Sequence, residues 1–245
     1  MASQTGRVAL VTGANKGIGL ETARGIGKAG AVVFVGSRQL DAGEAAAADL
    51  RRDGIDARAI QLDVTKPQTI AATIAAIEAE FGVLDILVNN AAIGLDRIPP
   101  SQADLQTMRD IFETNVFGVV ALTQAALPLL RKSKAGRIVN VSSDFGSLTL
   151  NSDPNMPHSK GVSLSYPASK AALNGVSVAF AKELRGTSIK LNIANPGFTD
   201  TDMTVGYQSR GRTSAMGAAA IVEMALIGDD GPHGVFVDDN GTIPW

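Results

Sequence analysis

Seven short apolar, β-branched runs recur along the chain, at residues 8–12, 32–36, 57–62, 86–89, 138–141, 189–193 and, more weakly, 234–237. Each is too short for a stable helix and lacks in–out alternation, which suits strands covered on both faces of a parallel sheet. Helical patterns separate them. The clearest is Ile70, Ile74, Ile77 and Phe81, one apolar face at spacings of 4, 3 and 4. Burying those four side chains contributes roughly 6–12 kcal/mol before entropy, an upper estimate from area. Asp63, Thr65 and Pro67 precede that helix, and Gly54 and Gly82 follow helical runs, as expected of helix starts and stops. AGEAAAADLRR reads as one amphipathic helix. There is no repeat, no low-complexity linker and no break in composition. The expectation is one α/β domain over residues 1–245, a doubly wound parallel sheet of about seven strands.

Of 245 residues, 45% are apolar and 19% charged, enough to build a large core. The net charge of -2, with no basic tail, points away from nucleic acid and from anionic membranes. Cysteine is absent, which excludes disulfides, thiolate metal sites and a cysteine nucleophile and is compatible with a cytoplasmic protein. MASQTGRVALVTG shows no basic region followed by a long apolar segment, so no leader is expected. The longest apolar stretch, 116–130, carries Thr123, Gln124 and Pro128 and is short for a bilayer. His158 and His233 lie in turn-like surroundings without a partner at metal-ligand spacing, so no metal is expected.

VALVTGANKGIGLETA runs from strand to glycine turn to helix. Gly13, Gly17 and Gly19 allow a tight turn and close approach to a pyrophosphate, and the helix N-terminus offers free N–H groups. That context makes the sheet Rossmann-type and the ligand a dinucleotide. An NAD reader usually carries an acid at the end of the second strand. Here Ser37 and Arg38 stand there, and Lys16 adds a second cation within the turn. Two charge-assisted bonds to a 2′-phosphate, each worth about 1.5–3 kcal/mol, favour NADP(H) over NAD. Asp63 and Val64, after the third strand, could meet the adenine, and Asp63 could equally be a helix cap.

In SYPASKAALN, Tyr166 and Lys170 are one helical turn apart. A free tyrosine titrates near pH ~10, and an adjacent ammonium favours phenolate; a shift of about 3 units needs roughly 4 kcal/mol. The stretch 144–164 reads as an irregular loop between a strand end and this helix, where open α/β folds place ligands.

The run from Thr12 to Gly19, Asn89-Asn-Ala91, Asn115, Ser142-Ser143, Tyr166-x-x-x-Lys170 and Asn195-Pro-Gly197 resemble, in order and spacing, the short-chain dehydrogenase/reductase family across nearly the whole chain. TGANKGIGLE, Ser37-Arg38 and the closing GTIPW resemble its carbonyl-reductase-like, NADPH-using branch. The resemblance implies Tyr166 as proton donor in carbonyl reduction, Lys170 as its pKa-lowering partner and ribose ligand, and Ser143 as hydrogen-bond donor to the substrate oxygen. Ser143, the second of its pair, stands further from Tyr166 than is usual in the family. Asn115 is implied to anchor a water linking Lys170 to solvent. Gly13, Asn15, Lys16, Gly17, Ile18 and Gly19 are implied to line the phosphates, and Asn89 and Ala91 the adenosine ribose. In the loop implied to bind the nicotinamide side, Pro196 and Gly197 are implied to shape the turn, Phe198 to offer backbone groups to the carboxamide and Thr201 to reach a phosphate. The family commonly reads NNAG where this chain has Ala92, a costly change if that position needs φ > 0. The implied substrate is a small ketone or aldehyde (or the alcohol in reverse), shaped by 94–100, 144–164 and 203–217. The implied assembly is a dimer or tetramer through the helices after Asn115 and around Tyr166. A non-catalytic NADP(H)-binding sensor or scaffold is the alternative, and dehydration or epimerisation on the same scaffold a third.

Overall fold

The β-branched runs form strands because their side chains pack well on a pleated surface that helices cover from both sides. In this computed structural model, residues 6–94, 98–156, 163–205 and 211–245 are described. The strands are β1 (Val8–Thr12), β2 (Val32–Ser37), β3 (Ala57–Gln61), β4 (Ile86–Asn89), β5 (Arg137–Val141), β6 (Lys190–Ala194), β7 (Phe236–Asp238) and β8 (Gly241–Thr242). They form one sheet in the order β3-β2-β1-β4-β5-β6-β7-β8. All neighbours are parallel except β7 and β8, a short antiparallel hairpin that adds an eighth strand to the seven expected. The order reverses between β1 and β4, and a crevice at such a switch, beyond the strands' carboxyl ends, is where open α/β sheets bind ligands.

Helices α1 (Gly17–Lys28), α2 (Leu40–Arg52) and α3 (Pro67–Phe81) follow the first three strands. Then come α4 (Leu105–Phe112), α5 (Gly118–Leu130), α6 (Leu148–Ser152), α7 (Ser165–Glu183) and α8 (Ser214–Ala225). Ala23, Ile26, Ala47, Leu50, Ile221 and Met224 of α1, α2 and α8 pack on one face of the sheet. Ile70, Ile77, Leu122, Ala126 and Ala181 of α3, α5 and α7 pack on the other, with Ile74 and Phe81 against them. Gly82 closes α3 at φ 68° and returns its N–H to Glu78 O, the left-handed stop the sequence implies.

Two expectations change. The segment after Ser143 begins with regular structure: a 3-10 turn, Asp144–Gly146, and then α6, each capped by the serine before it. These are serine caps over very short helices, which a search for helical periodicity passes over. Residues 157–162, with His158, lie outside the described residues, as do 95–97 and 206–210 of the other two segments expected to shape the substrate. Second, α4, a π-helical turn at Glu113–Phe117 and α5 form one helix of 26 residues, long and apolar enough to cross a membrane. The argument from a short apolar stretch therefore fails on length. Much of this helix (61% of its most apolar window) is buried inside the protein, as in an ordinary core helix.

Candidate active site

The glycine turn owes its shape to three residues without side chains. Gly13 and Gly17 have φ of 61° and 57°, which only glycine adopts cheaply. Gly19 is needed for space, since a Cβ there would lie 2.4 Å from Gly13 O and 2.5 Å from Asn90 Nδ2. The turn is tied to β4 by Asn90, whose Nδ2 donates to Thr12 O at 2.8 Å and to Gly13 O at 3.2 Å. Thr12 Oγ1 in turn accepts from the backbone N–H of Asn90 and Ala91, each at 2.9 Å. In the sequence Asn90 stands only as the middle of the Asn-Asn-Ala motif and Thr12 as the residue before the first glycine of the turn, with nothing local to mark either as part of the site.

This turn opens into a cleft of about 1080 Å³ beyond the carboxyl ends of the strands. Its lining includes Gly13, Asn15, Lys16, Gly17, Ile18, Gly19, Arg38, Asp63, Val64, Ala91, Tyr166, Lys170, Pro196 and Thr201. Sequence motifs up to about 190 residues apart thus meet in one place, as the topological switch predicts. Lys16 and Asp202 form an exposed ion pair, so the glycine turn touches the loop after β6. Asp63 is found at the cleft and not as the cap of α3. It lines the cleft, and its carboxylate accepts from Thr65 N and Oγ1 at 3.0 and 2.8 Å, shaping the entry to α3, whose N-cap position is Lys66.

Other expected residues do not line this cleft. Ser37 is 2% exposed at the end of β2, packed under α2, so Arg38 alone of that pair lines the cleft. Asn89 is buried, donating to Asn140 Oδ1 at 2.8 Å and Thr123 Oγ1 at 3.2 Å. Asn140 continues to Ser177 Oγ at 2.8 Å. Asn89 thus joins β4 to β5 and α5 from beneath. Gly197 has φ 66° and closes an Asn195-capped turn. Phe198 O accepts from Arg212 N at 2.8 Å, which places that carbonyl in the protein's own hydrogen bonding. Ala92 does not have a positive φ, because among the described residues only glycines do; the turn's left-handed residue is Gly94, at φ 88°. Alanine in place of the family's glycine is therefore tolerated without backbone strain.

Around Tyr166 the geometry is dense. Tyr166 and Lys170 are 8% and 2% exposed, and Lys170 Nζ lies 5.6 Å from the Tyr166 ring centroid. Phe145 packs edge-on against the Tyr166 ring at 6.4 Å. Lys170 Nζ donates to Val141 O at 2.8 Å. Burial takes this ammonium from 10.5 down to about 8, because the charged form is deprived of water. Ser143 Oγ donates to Asp144 Oδ1 at 3.0 Å and accepts from Phe145 N at 3.2 Å. Ser142 lines the cleft, whereas its Oγ is buried without a hydrogen-bond partner.

Asn115 sits in the π-helical turn, where a widened backbone register sets its amide against two other elements. Its Oδ1 accepts from Ile93 N at 2.9 Å; its Nδ2 donates to Ile93 O and Ser169 Oγ, both at 3.0 Å. The side chain thus couples the exit of β4 to the Tyr166 helix. No sequence pattern announced the π turn. His233 is held structurally, Nδ1 accepting from Leu191 N at 3.2 Å and Nε2 lying 2.7 Å from Ala181 O. A second cavity, of about 1170 Å³, lies against α1 and α8 at the strands' amino ends. There the buried Arg137 commits its guanidinium to Ile227 O, Gly136 O, Ser188 O and Asp229.

The family model described as short chain dehydrogenase matches residues 7–211. The 3-oxoacyl-[acyl-carrier-protein] reductase FabG of Escherichia coli (strain K12) is 36% identical over 199 residues, covering 81% of this chain and 76% of that protein. Carbonyl reductase [NADPH] 1 of Sus scrofa is 35% identical over 284 residues, covering 100% of this chain and 96% of that one. Among solved structures, the NADPH-bound carbonyl reductase from chicken fatty liver superposes with a TM-score of 0.84 at 25% identity, each chain covered in full (100%).

Proposed function

Because the chain belongs to the short-chain dehydrogenase family and so is an oxidoreductase, we propose that it reduces a neutral ketone or aldehyde to the alcohol with NADPH. The observation that carries this reading is the meeting, in one cleft, of the glycine turn with its cations Lys16 and Arg38 and the buried pair Tyr166 and Lys170. The fit to a dinucleotide rests on the cradle itself, since a side chain at Gly19 would collide with the turn that must approach a pyrophosphate. Lys16 and Arg38 would hold a 2′-phosphate, and one relative named for NADPH and one structure bound to it add weight to that choice. Exchanging an exposed ion pair with Asp202 for a phosphate contact costs Lys16 little, about 0–1 kcal/mol.

When bound, the reduced nicotinamide supplies the hydride that adds to the carbonyl carbon. Tyr166 donates its phenolic proton to the carbonyl oxygen. The Lys170 ammonium, still charged at pH 7, lowers the cost of the phenolate left behind. Its bond to Val141 O fixes the ammonium's position and leaves further N–H donors for a ribose. Ser143 orients the substrate oxygen, for which its hydroxyl must turn from Asp144. Asn115 holds the Tyr166 helix in register through Ser169. We place the protein in the cytoplasm and, through the outer faces of α5 and α7, in a dimer or tetramer. Phe117, 55% exposed on that long helix, is the natural contact.

The test is oxidation of NADPH, with NADH in parallel, against neutral ketones, aldehydes and quinones. Turnover with NADPH that vanishes in Tyr166→Phe while cofactor binding persists is the expected result. Full activity in that variant removes Tyr166 from the mechanism, and equal affinity for NADH and NADPH removes the cofactor assignment. A monomeric mass at micromolar concentration rejects the assembly.

A further inference from the structure

The turn that carries Ser143 is anchored unequally. At its base, Gly146 lies so close to α7 that a Cβ would sit 2.8 Å from the carbonyl carbon of Lys170, and Asn174 Nδ2 donates to Gly146 O at 3.1 Å. Beyond that point come Ser147 and the five residues of α6, too short a helix to be stable alone. What holds them is the other end of the sequence. Ser147, fully buried, donates through Oγ to Pro244 O at 2.6 Å. Thr149 donates to Trp245 O through its backbone N–H at 2.8 Å and also through its hydroxyl. Trp245 is seated by stacking on Phe236 of β7, ring centroids 5.9 Å apart at 28°, and Phe236 is 0% exposed. A rigid sheet edge is thereby connected through one indole ring to a segment that begins four residues after Ser143.

We propose that the Pro244–Trp245 segment is a positioning element of the active site, a strap that holds the Ser143 turn at its working distance from Tyr166. The inference rests on the reading of Ser143 as the group that orients the substrate oxygen. Trp245 contacts no reacting atom. It acts through Thr149 and Ser147, and its ring supplies the anchor while its backbone oxygen supplies the bond. Replacing the ring therefore leaves the acceptor present but lets it drift, and displacements of this kind near a reacting group cost up to about 100-fold in rate.

The experiment compares wild type, Trp245→Ala and Trp245→Phe, each alone and with Ser143→Ala. Rates are normalised to NADPH-binding sites, so that loss of folded protein does not pass for loss of positioning. The expected result is a fall in kcat/KM of about tenfold or more in Trp245→Ala, NADPH affinity within about twofold, and substantial recovery in Trp245→Phe. In the Ser143→Ala background the same Trp245→Ala change should have almost no further effect, because residues acting through one group are not additive. Full additivity there overturns the inference, as does an unchanged kcat/KM. Amide exchange over residues 144–151 supplies an arm independent of turnover. It should accelerate in Trp245→Ala while α7 stays protected, and unchanged exchange rejects the strap whatever reaction the protein performs. A wild type that turns over nothing in the panel counts against the reductase reading, and the exchange arm still decides the strap.

Discussion

Lys170 is a buried ammonium in a protein that would fold more easily without it, and that cost can be measured. Burial lowers its pKa from 10.5 to about 8. Between those values the unfolded chain binds the proton and the folded protein releases it, so stability rises with pH through that window. Below pH 8 the cost is fully present; at about 1.36 kcal/mol per pH unit it comes to about 3 kcal/mol at pH 7. Titrating the folded and unfolded forms together reduces it to about 1 kcal/mol at pH 9.5, a relief of about 2 kcal/mol. Lys170→Met keeps much of the side-chain volume and cannot titrate. It also removes the donor to Val141 O, an offset that does not change with pH. Urea unfolding of both proteins at pH 7, 8, 9 and 9.5 isolates the lysine, since every other group titrates in both. Wild type should gain about 2 kcal/mol on the Met variant across that range. A difference that moves by less than about 0.5 kcal/mol would refute the claim that the ammonium is charged and desolvated in the fold.

The same titration bears on the proposed reaction, which needs the charge on Lys170 and the proton on Tyr166. Activity should therefore decline as pH rises through about 8 in the cofactor-free enzyme, seen in kcat/KM for substrate at low cofactor.

Gly19→Ala should abolish measurable NADPH binding by fluorescence titration and lower the melting temperature, because its Cβ has no room between Gly13 O and Asn90 Nδ2; binding within threefold of wild type would show that the turn can yield. Ala92→Gly, which restores the residue common in the family, should change NADPH affinity by less than about twofold and cost up to about 1 kcal/mol in urea, since the site is not left-handed. Arg137→Ala should destabilise by about 1–3 kcal/mol in urea unfolding with the m-value unchanged, since it removes a buried side chain and the buried donor to Gly136 O, whereas the part-buried Ile227 O and Ser188 O can take water instead. Its kcat on the remaining folded enzyme should stay near wild type, because it lies at the strands' amino ends.

Elements that repeat a physical period were legible in the sequence, and those fixed by a single unusual contact were not. Ile70, Ile74, Ile77 and Phe81 report a helix because four side chains must share one face, and they do. The glycine turn was legible because three glycines in seven residues after a buried strand have few other uses, and two of them do take positive φ. Placement of side chains across the cleft is a different kind of fact. Ser37 and Asn89 stand in the right motifs yet turn inward, Ser37 beneath α2 and Asn89 into the ladder with Asn140 and Ser177. Strand alternation sends successive residues to opposite sides, so a motif at a strand end names a neighbourhood and not the residue that meets the ligand. The π turn at Asn115 shows the limit most clearly. Its backbone conformation is less favourable than a plain helix, and three hydrogen bonds to Ile93 and Ser169, distant in sequence, compensate it. Neither partner can be read from the residues around Asn115. The strap at Trp245 has the same character, for nothing near Pro244 announces that its carbonyl meets Ser147. A local pattern therefore locates the chemistry of this protein, and contacts between remote segments aim it.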